Sequence, residues 1–214
     1  MTQKVLTQID PNGNATVAFN RPEVHNAFDA EMGLQLITAL KKPTIARVHG
    51  AVRGGGVGLV AACDIAIGSR DATFRLSEVR LGIVPAMISP YVVAAIGERH
   101  ARRYFVSGEE FDAAEAYRIG LLHDIVEIDD LNAAVGAMLS QVYCGGPLAI
   151  AAAKQQISDI AHAGITAAII ADTARTIADI RATPEAQEGL TAFLEKRKAA
   201  WITPTPQKKQ TKKR

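Results

Sequence analysis

A run of glycines between a strand and a helix constrains this chain more than any other sequence feature. Three consecutive glycines, 54–56, follow a stretch at 43–48 that is typical of a buried strand. A helical apolar pattern then runs to residue 63, and a second strand-like run covers 64–67. The order strand, glycine loop, helix, strand predicts a mixed α/β architecture in this part of the chain.

The same glycines suggest chemistry. Glycines just before a helix leave backbone N–H groups uncovered at the positive end of the helix, where an anion or a developing oxyanion can bind. Two nucleotide-binding interpretations fail, because Leu59 stands where a dinucleotide fingerprint needs glycine and no Gly-Lys-Ser/Thr ending follows. Tight packing of the helix on the strand is the alternative explanation, and the sequence leaves both open.

Glu78 is the candidate acid or base. It lies in the otherwise apolar stretch 76–82, and a carboxyl group in such surroundings tends to have a raised pKa, which suits proton transfer. An ion pair with Arg75 or Arg80 is the competing hypothesis.

The remainder of the chain divides into a mixed first half and a helical second half. Residues 5–9 and 15–20 flank a turn-rich segment at 10–14 and predict a β-hairpin. A helical pattern follows Asp29 and ends at Pro43, and further strand-like pieces occur at 73–76 and at Ile83. Helical spacing predicts six later helices, at 91–106, 112–119, 129–143, 148–163, 165–181 and 184–201.

Composition excludes several classes of protein. The 214 residues carry 24 Lys and Arg against 22 Asp and Glu, a formal net charge of +2, so wholesale nucleic-acid binding is not expected. The basic end at 207–214 holds five of the positive charges, and without them the net charge is −3. Two cysteines, Cys63 and Cys144, lack zinc-site spacing, so we expect no metal and a reducing compartment. Without a signal-like start or a long apolar run, we expect a cytoplasmic protein with no membrane contact.

The predicted helix 165–181 also suggests self-association. It is apolar around much of its circumference, and such a helix needs more than one partner surface. The sequence therefore predicts a homotrimer or a dimer of trimers. The apolar positions are Ile165, Ala168, Ile169, Ile170, Ala171, Ile177 and Ile180.

Five parts of the sequence form a characteristic set by their order and spacing: 20–28, 42–50 leading into 54–56, 61–66, 78–85 and 189–198. In these the chain resembles the enoyl-CoA hydratase/isomerase (crotonase) superfamily, from about residue 4 to 201. Within the superfamily, 54–64 and 89–93 look most like the bacterial methylglutaconyl-CoA hydratase branch.

The resemblance implies a crotonase-like ββα spiral core at 1–144, a C-terminal helical trimerisation region at 145–201, and a basic disordered tail at 202–214. It implies an acyl-CoA thioester as substrate in fatty-acid or branched-chain catabolism, such as leucine degradation, and no cofactor beyond the coenzyme A of the substrate. By the same resemblance, Glu78 is a catalytic glutamate and Gly55 an oxyanion donor. The implied coenzyme A contacts are Arg21, Val24, Ala27 and Gly54, together with Phe193 and Lys196, which in the family reach the coenzyme A of a neighbouring subunit.

Two departures from the family pattern bear on activity. Gly58 occupies the position of the other catalytic glutamate of the hydratases. Only nine residues lie between Met32 and Lys42, so one repeat of the spiral, which supplies the first oxyanion donor in the family, is apparently deleted. The resemblance therefore allows an active enzyme or a catalytically impaired paralogue that binds acyl-CoA or only assembles. A third hypothesis is association with RNA, and only the basic tail supports it.

Overall fold

The computed structural model describes residues 5–10, 14–19 and 40–202. The predicted helix after Asp29, the predicted tail at 203–214 and the site residues Arg21, Val24 and Ala27 lie outside these ranges, as does the segment between Met32 and Lys42 up to residue 39. The described residues divide into two compact units. The first holds the residues up to 40 and 44–136, and the second holds 41–43 and 137–202.

The strands all belong to the first unit. They are β1 Val5–Ile9, β2 Ala15–Phe19, β3 Ile45–Val48, β4 Ala51–Arg53, β5 Ile65–Ser69, β6 Thr73–Arg75, β7 Glu110–Asp112 and β8 Asp124–Val126. Strands β1 and β2 pair antiparallel, which confirms the predicted hairpin. A parallel sheet has the order β3-β5-β8, and a mixed sheet has the order β4-β6-β7.

Four helices accompany these strands: α1 Gly55–Ala62, α2 Ser89–Ser107, α3 Ala113–Arg118 and α4 Leu131–Val142. Helix α4 continues from the first unit into the second. The core of the first unit centres on an aromatic cluster, in which Phe74 stacks on Phe111 at 5.5 Å between ring centroids and Tyr104 contacts Phe111 at 4.2 Å. Phe74 and Tyr104 are essentially inaccessible to solvent.

The second unit is helical, with α5 Pro147–Ile160, α6 Ala167–Arg181 and α7 Pro184–Leu194. Thr166 and Thr183 begin α6 and α7, and each hydroxyl accepts a hydrogen bond from a backbone N–H three residues later. No single helix in the described ranges is long and apolar enough to cross a membrane. By length and composition alone, residues 128–142 and α5 meet that criterion as a pair, with a bend of 101° between them.

Helix α7 is shorter than the predicted helix 184–201. It ends at Leu194 because Lys196 adopts a left-handed conformation, with φ of 55°. The Arg197 N–H then donates to the Ala192 carbonyl at 3.0 Å, a pattern that closes a helix C-terminus. Apolar spacing cannot reveal this stop, since no glycine marks it.

The structure also corrects the strand predictions. Ile83 was expected in a strand, but it follows a 3₁₀ turn at Glu78–Leu81 that ends at Gly82 with φ of 74°. Ile83 is 57% exposed, and its N–H donates to the carbonyl of Glu78 instead of to a strand. The three-residue strands β4, β7 and β8 were not predicted, because each is stabilised by a partner distant in sequence.

Candidate active site

The first candidate element is the start of α1. Gly54 has φ of 48° and ψ of −119°, a conformation open essentially to glycine alone. Its N–H donates to the Arg75 carbonyl at 2.9 Å, and its carbonyl accepts from Val57 N–H at 2.9 Å. Within the described part of the chain, the N–H groups of Gly55 and Gly56 donate to no acceptor. Two donors are therefore left at the positive end of the helix, where they can bind an anionic oxygen.

The second element is the Glu78 carboxylate, which lies against this helix start. A Cβ atom on Gly54 would be 3.0 Å from Glu78 Oε1, so the carboxylate occupies space that only glycine leaves open. Glu78 Oε2 is buried, with no hydrogen-bond partner among the described residues. Burial raises the pKa of Glu78, opposed in part by a hydrogen bond from its own backbone N–H.

Neither arginine considered for Glu78 forms an ion pair with it. The Arg75 guanidinium lies 3.7 Å from Glu110, which also binds Arg53 at 2.5 Å. Among the residues that the structure describes, Glu78 makes no ion pair. The ion-pair hypothesis is therefore wrong, and the carboxylate is free to act on a bound molecule.

The later glycines of the run have a packing role. A Cβ atom on Gly56 would be 3.2 Å from Val52 Cγ1, and one on Gly58 would be 2.2 Å from Ile88 Cγ2. Both explanations of the glycine run therefore hold: Gly58 permits close packing, Gly55 offers a free donor, and Gly56 does both. Sequence patterning does not point to Ile88, which contacts the helix from 30 residues away in the chain.

The structure brings Gly54, Gly55 and Glu78 together in the first unit. Phe193 and Lys196 belong to the second unit, at the end of α7, where Phe193 is 80% exposed and Lys196 is also exposed. The site geometry therefore rests on the glycine helix start and one carboxylate.

Comparison with known proteins identifies the class. A sequence model of the enoyl-CoA hydratase/isomerase family matches residues 31–204. The crotonyl-CoA hydratase of Syntrophomonas wolfei is 34% identical over 170 residues, which cover 79% of this chain and 65% of that protein. The 2,3-dehydroadipyl-CoA hydratase of Escherichia coli K12 is 32% identical over 75% of this chain and 63% of its own length. The crystal structure of an enoyl-CoA hydratase from Shewanella pealeana superposes with a TM-score of 0.83 and 30% identity, covering 93% of this chain and 96% of that one.

The chain belongs to the enoyl-CoA hydratase/isomerase family, and its α/β architecture with a helical C-terminal region is the crotonase fold. The sequence-based recognition and fold class are confirmed. The chain spans a little under two thirds of the length of these two curated relatives.

Proposed function

We propose that this chain binds an α,β-unsaturated acyl-CoA thioester and adds water reversibly across its double bond through an enolate intermediate. The observation that carries the proposal is the position of the Glu78 carboxylate beside Gly54, with Oε1 3.0 Å from the place that a Cβ atom on Gly54 would occupy. It sets one acid/base group beside the free N–H donors of the helix start. Both elements of enolate chemistry, an oxyanion site and a proton carrier, are thereby adjacent.

In this proposal the thioester oxygen accepts a hydrogen bond from Gly55 N–H. Negative charge develops on that oxygen as the enolate forms, and the positive end of α1 stabilises it more than it stabilises the uncharged carbonyl. A single oxyanion donor contributes about 100- to 1,000-fold to the rate in well-studied enzymes.

Glu78 is proposed as the proton carrier. Its raised pKa favours the protonated form relative to an ordinary glutamate, and its unpartnered Oε2 has no competing hydrogen bond in the described part of the chain. A carboxyl group that takes up a proton and returns it serves as both base and acid within one catalytic cycle.

Coenzyme A recognition is proposed for Gly54, and Phe193 and Lys196 are proposed to reach the coenzyme A of a neighbouring subunit. Arg21, Val24 and Ala27 lie outside the described residues. The exposed aromatic ring of Phe193 offers a stacking surface and the Lys196 ammonium a partner for phosphate. The curated relatives are named for different acyl groups, crotonyl and dehydroadipyl, so the methylglutaconyl-like substrate, the leucine pathway and the cytoplasmic location stay predictions.

Crotonyl-CoA tests the proposal. Isothermal titration measures its binding, and loss of absorbance of the conjugated thioester measures hydration. We expect Glu78→Gln to lower kcat by roughly 100- to 10,000-fold while binding persists. Glu98→Gln is the matched control, because Glu98 is 72% exposed and forms an ion pair with Arg102 on the surface of α2. Full-rate hydration by the Glu78 variant would refute the site.

A second candidate function, binding without turnover, is favoured by Gly58, which supplies no second carboxylate. Binding energy is spread over the long coenzyme A, whereas enolate stabilisation acts at one oxygen. Crotonyl-CoA binding with no detectable hydration by the natural chain would establish this alternative.

A further inference from the structure

The strongest unassigned feature is the contact between Gly58 and Ile88. A Cβ atom on Gly58 would lie 2.2 Å from Ile88 Cγ2 and 2.6 Å from Ile88 Cβ. Ile88 is 2% exposed and directly precedes α2. Its carbonyl accepts a hydrogen bond from Val92 N–H, and the Ser89 N–H donates to the Pro85 carbonyl, which closes the preceding turn. Because the Cβ of Ile88 is fixed by this backbone, rotation of its side chain cannot relieve the overlap.

Helix geometry makes position 58 relevant to chemistry. Residues three and four apart share a helix face, so a side chain at 58 would lie on the face of Gly54 and Gly55. Side chains also tilt towards the helix N-terminus, which directs one at 58 towards the Glu78 carboxylate and the free N–H donors. Position 58, where the family resemblance places the second catalytic glutamate of the hydratases, lies one turn into α1 on the side of this site.

We propose that Ile88 closes this position, so that the site works with Glu78 as its single carboxylate and an apolar wall where a second acid would stand. The inference rests on the proposed function and adds to it the residue that determines the number of carboxylates. Glu78 must then both remove and return the proton.

A single carboxylate can complete the reaction. As the water oxygen forms its bond to C3 of the 2-enoyl thioester, Glu78 takes a proton from that water. The π electrons of the C2–C3 bond move to form the C1–C2 double bond, and the thioester oxygen takes the negative charge at Gly55 N–H. Protonated Glu78 then gives the same proton to C2, the carbonyl re-forms, and the carboxylate is restored.

A double-mutant cycle tests the steric part independently of turnover. In the natural chain, we expect Gly58→Ala to lower the Tm by roughly 5 °C through overpacking. In the Ile88→Gly background the same change should raise the Tm, because the added methyl group fills part of the vacated space. In the Ile88→Ala background, which keeps the Cβ at 2.6 Å, a smaller loss should remain.

Gly136→Ala is the matched control. Gly136 is an exposed glycine within α4, and a Cβ atom there meets nothing within 4 Å. This variant should gain roughly 2 °C in every background, as glycine-to-alanine changes do in open helices. A Gly58→Ala variant that gains as much as the control in the natural chain would overturn the role of Ile88.

Turnover of crotonyl-CoA tests the chemical part. In the natural chain, Glu78→Gln should lower kcat for crotonyl-CoA hydration by roughly 100- to 10,000-fold. In the Gly58→Glu/Ile88→Gly background, where a second carboxylate has room, the factor by which Glu78→Gln lowers kcat should be at least about ten times smaller. Equal losses would refute position 58 as the place of a second acid. Absence of turnover in the natural chain, together with the reversed Tm effect, would refute the proposed function while supporting the steric exclusion by Ile88.

Discussion

Helices α1 and α6 are both rich in apolar residues, yet they are buried to very different extents. In α1, five of eight residues are buried. In α6, none of 15 residues is fully buried, although the helix contains four isoleucines. The first helix therefore finds its packing partners within its own unit, whereas the second presents apolar surface that the described residues leave exposed.

The exposure pattern of α6 shows which side lacks a partner. One stripe is half-buried: Ile169, Thr173, Thr176 and Ile180. A neighbouring stripe carries Ile170 and Ile177, which are 59% and 64% exposed. Exposed apolar surface of this kind marks an interaction site, and it supports the prediction of a homotrimer or a dimer of trimers. The first unit thus covers the apolar residues of α1 by its own packing, whereas α6 of the second unit needs a partner surface to cover its exposed isoleucines.

Truncating the core of the first unit should have the largest effect. Phe74 is fully buried and stacks on Phe111, so Phe74→Ala should cost about 3–5 kcal/mol of unfolding free energy. Urea denaturation measures the loss. Ile177→Ala is the contrasting variant in the second unit, and in dilute protein held as monomer its cost should be below about 0.5 kcal/mol. Similar losses of unfolding free energy for the two variants would contradict the difference in packing between α6 and the core of the first unit.

A charge on the exposed stripe of α6 should disrupt assembly. Burial of one isoleucine contributes about 1.5–3 kcal/mol, and Ile177→Asp would both remove that contribution and bury a charge at the interface. Light scattering at micromolar concentration should show an oligomer for the natural chain and a smaller species for the variant. Arg175→Asp places an aspartate on another exposed face, where the Arg175 side chain is 69% exposed, and should leave the oligomer intact. A monomeric natural chain would contradict the prediction.

Sequence periodicity recovered the long elements of both units because their signals are local. The β1–β2 hairpin follows from turn residues, and the helices from α2 to α7 follow from apolar spacing, over ten or more positions in every case except the six-residue α3. Strand β4 could not be predicted in this way: it has three residues, lies against the glycine run, and is a strand only because it pairs with β6. The end of α7 was missed for a comparable reason, since its stop depends on a backbone conformation at Lys196.

The candidate site likewise has features that the sequence predicts and features that it does not. Its chemical components, a glycine helix start and a carboxyl group in apolar surroundings, are visible in the sequence. Their contact is not, because Gly54 and Glu78 are brought together by the pairing of β4 with β6. Ile88 leaves no sequence signal at all, since an isoleucine before a helix is ordinary until its contact with Gly58 is seen. Roles for Glu78 and Gly55 stay proposals.

Gly54→Ala should produce an intermediate effect confined to the first unit. Alanine at φ of 48° is strained, and its Cβ would crowd Glu78 Oε1 at 3.0 Å. We expect a loss of about 1–2 kcal/mol in unfolding free energy, together with slower hydration as the carboxylate is displaced. Gly164→Ala in the second unit, where a Cβ meets nothing within 4 Å, should change neither. An unperturbed Gly54 variant would show that the helix start tolerates a side chain.

The smallest effect expected is a pH trend of opposite sign in the two units. The raised pKa of Glu78 means that the folded state binds this proton more tightly than the unfolded chain does, so Glu78 costs stability once the pH exceeds the unfolded value. The Tm of the Glu78→Gln variant should therefore rise relative to that of the natural chain as the pH increases from about 4 to 7.

In the second unit, hydrogen bonds from Arg197 lower the pKa of Glu188 to about 2. That contribution is present above the ordinary value of 4.5 and is lost as the pH falls towards 2, so Glu188→Gln should lose Tm at pH 7 and match the natural chain in acid. Calorimetry of both variants across this range decides the matter, and trends of the same sign would show that Glu78 is not desolvated in the folded chain.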